Sequence, residues 1–455
     1  MINCKKRKYN SQEIFEHLPV LKTLRIMAIP TVMSQIIVLI YNMADTFYVG
    51  RANNPYMVAG ASLILPVFNI CLALAGLAGI GGGTLISRLL GENRIDEAKK
   101  VSSFSIWLSV LVAALFSLGM AVFMHPILML LGAGENTYRY AMQYSFCVII
   151  IGGIPTVLSN VLSNLLRSIG VSKEAGFGIM MGGLLNIILD PVFMFLLLPE
   201  GFELLGAGIA TCLSNILSCI YFFRIIFKLR SHSVITFSFN EGLPESKSIS
   251  AVFNVGIPSA ITTLLFDLDY VVIDKLMVAY GDISLAAIGI VLKAERLPLN
   301  IGIGICQGML PIVAYNYSSG NHKRMHDTIR YSAITGLITA AASIFMYELS
   351  ATNILKLFIN DPQTVALGTD FLRIRCLATP FMFISFFTVH LFQAFGQGDK
   401  ALFLGVMRWC AFNIPMLFLL NAFFGMYGIV WSQITADVLT VALSLWVYKK
   451  NLKHL

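Results

Sequence analysis

The chain has 455 residues, 57% of them hydrophobic and only 12% charged, with a formal net charge of +8. An average soluble domain is roughly 25% charged, so a water-soluble globular fold is excluded and a polytopic membrane protein is indicated. The positive balance does not point to a nucleic-acid partner, because the basic residues sit in short segments between apolar runs rather than on one contiguous face.

Apolar runs long enough to cross a hydrocarbon core about 30 Å thick recur along the whole chain. Lipid cannot satisfy peptide groups, so each run must be a helix. In order, the predicted spans cover about 23–49, 56–87, 102–125, 139–168, 174–198, 204–228, 248–279, 284–317, 328–347, 365–394, 400–421 and 425–448. The predicted fold is an all-α polytopic membrane protein of twelve transmembrane helices in two pseudo-symmetric six-helix lobes, 23–230 and 248–449. An arm (1–22) precedes them, a polar linker (231–247) joins them and a short tail (450–455) follows. Basic residues cluster in the arm (Lys5, Lys6, Arg7, Lys8), after spans two, four, six and eight (among them Arg94, Lys173, Arg230 and Lys323) and after the last span (Lys449, Lys450, Lys453). By the positive-inside rule, both termini are expected in the cytoplasm, with the chain in the cell membrane. The first run is too long for a cleaved signal peptide. The eight cysteines show no metal-ligand spacing and read as small core residues. The glycines of "GIGGGTLIS" (79–87) follow no strand, so they read as helix-packing positions and not as a nucleotide loop.

The two lobes repeat. A shift of 229 residues places Asp45 on Asp274, Gly60 on Gly289, Gly79 on Gly308 and Gly91 on Gly320, and after small gaps Pro191 falls on Pro415 and Gly208 on Gly428. Parallel repeats of this kind imply a cleft between lobes that rock about it. A transporter fits that architecture. An intramembrane enzyme would need a catalytic constellation, and the sequence has no His-Glu-x-x-His or Gly-x-Ser-x-Gly. No cofactor is expected.

Carboxylates on apolar helices are costly to bury and mark functional sites. Asp45 lies in "YNMADTFYVG" of helix 1, and "NIILDP" places Asn186 and Asp190 four apart on one face of helix 5. Pro191 cannot donate to the preceding turn, which leaves a backbone carbonyl free. Counting along the helices puts Asp45, Asp190 and Thr211 of helix 6 in one layer, within about a turn of one another at about 1.5 Å per residue. The repeat sets Cys410, Ile414 and Trp431 against Asn186, Asp190 and Thr211, so a cation or proton pocket is expected in the N-terminal lobe alone. Candidate substrate-cavity residues are Tyr41, Tyr48, Asn69, Asn160, Asn164, Asp274, Glu295, Gln393 and Arg408, with Lys293 and Arg296 as neutralising neighbours of Glu295. The aromatic and methionine-rich composition suits adaptable recognition of flat cations.

The segments "NMADTFYVG", "GGGTLISRLLGENR", "LRSIGVSKEA", "NIILDP" and "GAGIATCLS" together resemble the multidrug and toxic compound extrusion family. The resemblance covers essentially the whole chain. It implies a two-lobe monomeric antiporter that exports cationic, amphipathic drugs in exchange for inward Na+ or H+. It also implies that Asp45, Asn186, Asp190 and Thr211 hold the coupling ion, including Na+ where that is the ion, with Ala207 near it through its backbone. The alternative within the same superfamily is export of a lipid-linked or oligosaccharide substrate.

Overall fold

The computed structural model describes residues 11–230 and 233–452, and the described chain is helical between short loops, with no strand. The arm residues Lys5, Lys6, Arg7 and Lys8 and the tail residue Lys453 lie outside the described residues. Eight spans are continuous: α1 (Val20–Arg51), α2 (Pro55–Gly91), α3 (Ile95–Val122), α5 (Ser172–Leu197), α6 (Glu203–Leu229), α7 (Ser246–Tyr280), α8 (Asp282–Ser318) and α9 (His322–Phe358). Two are bent: α4 joins Glu135–Ile151 to Gly153–Ser168 at 47°, and α10 joins Pro362–Cys376 to Thr379–Ala394 at 46°. The final stretch, Gly398–Lys450, has 53 residues, about twice what one crossing takes. It breaks at Gly425, whose φ of 58° and ψ of −141° no side-chain-bearing residue adopts cheaply, and so supplies α11 (398–424) and α12 (426–452). The total is the predicted twelve.

A few helix starts are capped by side chains. The Asn54 side chain accepts from the Tyr56 amide at 3.0 Å with Pro55 in the first turn, and Asp361 does the same for Thr364 at 2.8 Å ahead of Pro362. Outside the membrane, the Thr364 hydroxyl and amide hold the Asp361 carboxyl below the usual range. The linker is not loose. Trp107 donates to the Phe237 carbonyl at 3.0 Å and Arg94 pairs with Glu245 at 2.8 Å, which binds the linker along α3.

The buried apolar side chains divide in an informative way. One cluster fills the N-terminal lobe and continues into the C-terminal lobe through Val252, Ile305, Met309, Tyr315, Phe392 and Leu404, at the helix ends nearest the chain termini. A second cluster, from Ile273 and Met277 to Ile429 and Val430, belongs to the far half of the C-terminal lobe alone. The lobes therefore share one core at the terminal face and have separate cores beyond it. Small residues make the shared seam. A Cβ on Gly256 of α7 would strike the Leu77 carbonyl of α2, one on Gly81 the Val252 carbonyl, and one on Gly308 of α8 would come within 2.6 Å of the Ala28 Cα on α1. The amide of Gln35 (α1) donates to Gln307 (α8) at 3.0 Å, near mid-span. Because backbone cannot give way, Gly256→Ala is expected to destabilise the protein by about 1–3 kcal/mol. A lowered thermal midpoint in detergent, read by fluorescence-detected size exclusion, checks this.

The arm adds a strap across the terminal face. A single π turn, Glu13–His17, buries Phe15 completely against Tyr315 of α8, with ring centroids 5.3 Å apart. The Tyr315 hydroxyl donates to Glu16 at 2.7 Å, and Arg324 of α9 donates to the Phe15 carbonyl. On the other lobe, Ser11 donates to the Ile169 carbonyl at 2.9 Å. Phe15→Ala removes the buried ring, a change worth about 3–5 kcal/mol in a well-packed core. It is expected to speed thiol labelling of a cysteine introduced by Gln307→Cys in a cysteine-free background; an unchanged labelling rate would show that the strap does not hold the lobes together.

Candidate functional site

Helices α1, α4, α5 and α6 converge inside the N-terminal lobe because small residues let them. A Cβ on Gly183 of α5 would lie 2.9 Å from the Tyr41 ring on α1, and one on Gly208 of α6 would lie 2.9 Å from the Cys147 Cβ on α4. Two of these helices widen into π turns beside the site, Phe146–Ile151 in α4 and Val192–Leu197 immediately after Pro191 in α5. Such turns shift side-chain directions and recur at functional positions.

The expected cluster forms. The Asn186 amide donates to Asp190 Oδ1 at 3.0 Å and to Thr211 Oγ1 at 3.2 Å. Asp190 is fully buried and Asn186 nearly so, while Asp45 is half-buried and accepts a long, 3.5 Å hydrogen bond from the Tyr144 hydroxyl. The two carboxylates are close enough for their charges to interact, and Tyr41 and Tyr144 lie within the field of both. Ala207 is fully buried one turn before Thr211 on α6. Tyr144 was not singled out from the sequence. Its one signal was a polar aromatic two residues ahead of the apolar run that begins at Phe146 in helix 4.

Three buried acceptors in this cluster have no partner: Asp45 Oδ1, Asn186 Oδ1 and Asp190 Oδ2. Buried carboxylate oxygens without donors are expensive, and neither acid has a lysine or arginine within ion-pair distance among the described residues. An all-oxygen, net acidic set of this kind is chemically suited to a hard monovalent cation or to a proton.

The second lobe is built otherwise. Glu295 on α8 is held by Arg375 of α10 through two bonds, Nε to Oε2 at 2.6 Å and Nη2 to Oε1 at 2.8 Å. Arg408 of α11 donates to Asp437 of α12 at 2.9 Å, and Gln433 donates to the other Asp437 oxygen at 2.7 Å. Asn413 donates to Asp269 at 2.6 Å. Glu295 is therefore neutralised by Arg375 and not by its chain neighbours: Lys293 is exposed, and Arg296 stacks over Tyr270 at 4.8 Å. Arg408 is likewise occupied by Asp437. The second copy has lost the helix 5 polar set, since Cys410 and Trp431 are exposed, but it has gained a buried network on other positions. Arg375, Asp437, Gln433 and Asn413 were missed, although Arg375 and Asp437, as ionisable residues inside apolar spans, carry the same signal that marked Asp45.

The remaining cavity candidates scatter. Asn164 borders an interlobe cavity with Gly79, Arg167 and Gln307, whereas Asn160 donates to its own helix at Thr156. Gln393 is buried with its Oε1 unpartnered, Tyr48 packs edge-on to Phe47 and Asn69 is half-buried. Asp274, the repeat mate of Asp45, is exposed.

The family model named MatE matches residues 30–192 and again 258–419, once in each lobe. The chain belongs to the MatE family. It is a secondary transporter and a multi-pass membrane protein. It is 30% identical over 442 residues to the multidrug export protein MepA of Staphylococcus aureus (strain NCTC 8325 / PS 47), covering 95% of each chain. With the MepA protein of Staphylococcus haemolyticus it shares 29% identity over 433 residues, covering 95% of this chain and 94% of the other. The fold superimposes on a crystal structure of MATE in the straight conformation with a TM-score of 0.89 at 21% identity, over 98% of this chain and 99% of that one. On a structure of a multidrug resistance MATE family transporter of the MOP superfamily in its outward-facing conformation the TM-score is 0.91 at 20% identity, over 97% of both chains.

Proposed function

We propose that this MatE transporter exports organic cations and amphipathic drugs, exchanging each for Na+ or H+ taken up at Asp45, Asn186, Asp190 and Thr211. The observation that carries the reading is the set of three buried oxygens, on Asp45, Asn186 and Asp190, that no donor satisfies. The relatives named multidrug export proteins support the substrate class. With the basic arm and loops in the cytoplasm, the shared core closes the cytoplasmic end, and the half where the lobes keep separate cores faces outside.

In that arrangement the ion reaches the half-buried Asp45 first and then the dry Asp190. Uptake places one positive charge between two carboxylates that otherwise repel, or protonates one of them, which relieves the repulsion and draws α1 against α5 and α6. Coupling requires that ion and drug prefer different states, so that ion occupancy lowers the affinity for the drug and favours its release. The opposite lobe contributes scaffold, because Glu295 and Asp437 are already matched by Arg375 and Arg408.

Proteoliposomes with an imposed gradient test this. Extrusion of a fluorescent cation is expected to follow either a Na+ gradient at fixed pH or a pH gradient without Na+, and the condition that supports extrusion names the ion. Extrusion that ignores both gradients, or inhibition by lipid-linked sugars with no response to cationic dyes, would reject the exchange of drugs for an ion.

A further inference from the structure

Three arginines are buried in the membrane-spanning part of the described chain, and two of them, Arg375 and Arg408, each hold a carboxylate. The third does not. Arg167, at the end of α4, is 7% exposed; its Nη1 donates to Asn164 Oδ1 at 3.2 Å, its Nη2 reaches Ser34 Oγ at only 3.4 Å, and its Nε has no partner. A guanidinium cannot shed its proton at any physiological pH, so this charge stays in the protein interior. Neutral amide and hydroxyl acceptors compensate it poorly.

Arg167 also lines a cavity between the lobes, about 20 Å³ for the centre of a water-sized sphere. Gly83 and Thr84 form its N-lobe wall; Gln307, Pro311 and His390 form its C-lobe wall. The Gln307 oxygen is already taken by Gln35, which leaves the Gln307 amide N–H groups as donors at the wall. His390 is fixed through Nδ1 to the Phe386 carbonyl at 2.8 Å. Thr84 and Ser168 spend their hydroxyl protons on their own helices, at Ile80 and Leu165, and no carboxylate borders the space.

We propose that this cavity is a site for one small monovalent anion, of which chloride is the abundant example, held by Arg167 of one lobe and the Gln307 amide of the other. The donors set the class: one guanidinium charge and one amide line the space, with no second cation, which matches a single monovalent anion and leaves a phosphate under-compensated and short of donors. A bound anion supplies the charge that Arg375 and Arg408 obtain from carboxylates. It also spans the seam beside Gln35–Gln307, so it favours the state closed at the terminal face and must leave when that face opens. The site is separate from the Asp45–Asp190 pocket, and its test reads binding, so it stands whatever the coupling ion proves to be.

The experiment is equilibrium binding of radioactive chloride to the purified full chain in a scintillation-proximity assay, at constant ionic strength with gluconate as the inert anion. The expected result is saturable binding near one per chain, displaced by bromide but not by phosphate, and at least about tenfold weaker in Arg167→Gln, which removes one full charge partner. Gln307→Leu, which retains an apolar wall, is expected to weaken binding as well, and it serves if the arginine variant does not fold. No saturable binding to the wild-type chain would overturn the proposal. Equal binding by a folded Arg167→Gln protein, or displacement by phosphate as effective as by bromide, would overturn it too.

Discussion

Asp190→Asn is expected to reduce gradient-driven extrusion of a cationic dye to the background of protein-free vesicles, and at the same time to leave the protein as stable as wild type or more so. The two halves of that expectation have one cause. Asp190 is fully buried, bonded through Oδ1 to Asn186, and holds Oδ2 against no donor. An isosteric amide removes a charge that the surrounding side chains stabilise poorly, so folding loses nothing. The same change removes the group whose neutralisation the coupling ion supplies. Coupling energies between sites run to about 1–3 kcal/mol, or roughly 5- to 150-fold in affinity, and an ion that no longer binds contributes none of it. Asp45→Asn should behave likewise, with a smaller stability gain because Asp45 is half-buried. Thr211→Ala removes one acceptor from Asn186 and should cost about 0.5–1.5 kcal/mol, a partial defect. Proteoliposome transport and thermal midpoints on the same preparations decide the matter. If both asparagine variants extrude dye at the wild-type rate, the N-lobe pocket is not the coupling site; if they lose activity only in proportion to lost stability, the carboxylates are scaffold.

Much of this architecture was legible because the bilayer is a strict solvent. Twelve apolar runs had to be helices, and the repeat fixed their division into lobes. The cluster of Asp45, Asn186, Asp190 and Thr211 followed from helical periodicity and depth, two quantities that a sequence carries directly. What remained hidden depends on long-range packing. The bends in α4 and α10 leave the hydropathy of those runs unbroken. The pairing of Glu295 with Arg375 joins positions 80 residues apart, and nothing near Glu295 distinguishes that partner from the closer Lys293 and Arg296. The strap at Phe15 lies in a stretch whose polarity reads as a solvent-exposed arm, although the Phe15 ring is wholly buried.

The Glu295–Arg375 pair also yields the largest stability effect expected in the C-terminal lobe. Both side chains are buried, the guanidinium reaches both carboxylate oxygens, and Tyr270 donates to Glu295 Oε1 at 3.2 Å. Such a pair adds little net stability over apolar groups of the same size, but removing one member strands the other charge in a dry interior at about 3–5 kcal/mol. Glu295→Gln should therefore lower the thermal midpoint sharply. Glu295→Gln combined with Arg375→Met, in which neither charge remains, should recover most of the loss. If Glu295 serves as scaffold, the double variant regains transport together with stability. If Glu295 instead touches the drug, the double variant folds but transports with a raised KM. Measuring midpoint, kcat and KM across the two single variants and the double variant separates these outcomes, because a purely structural residue moves the three quantities together and a binding residue moves KM alone.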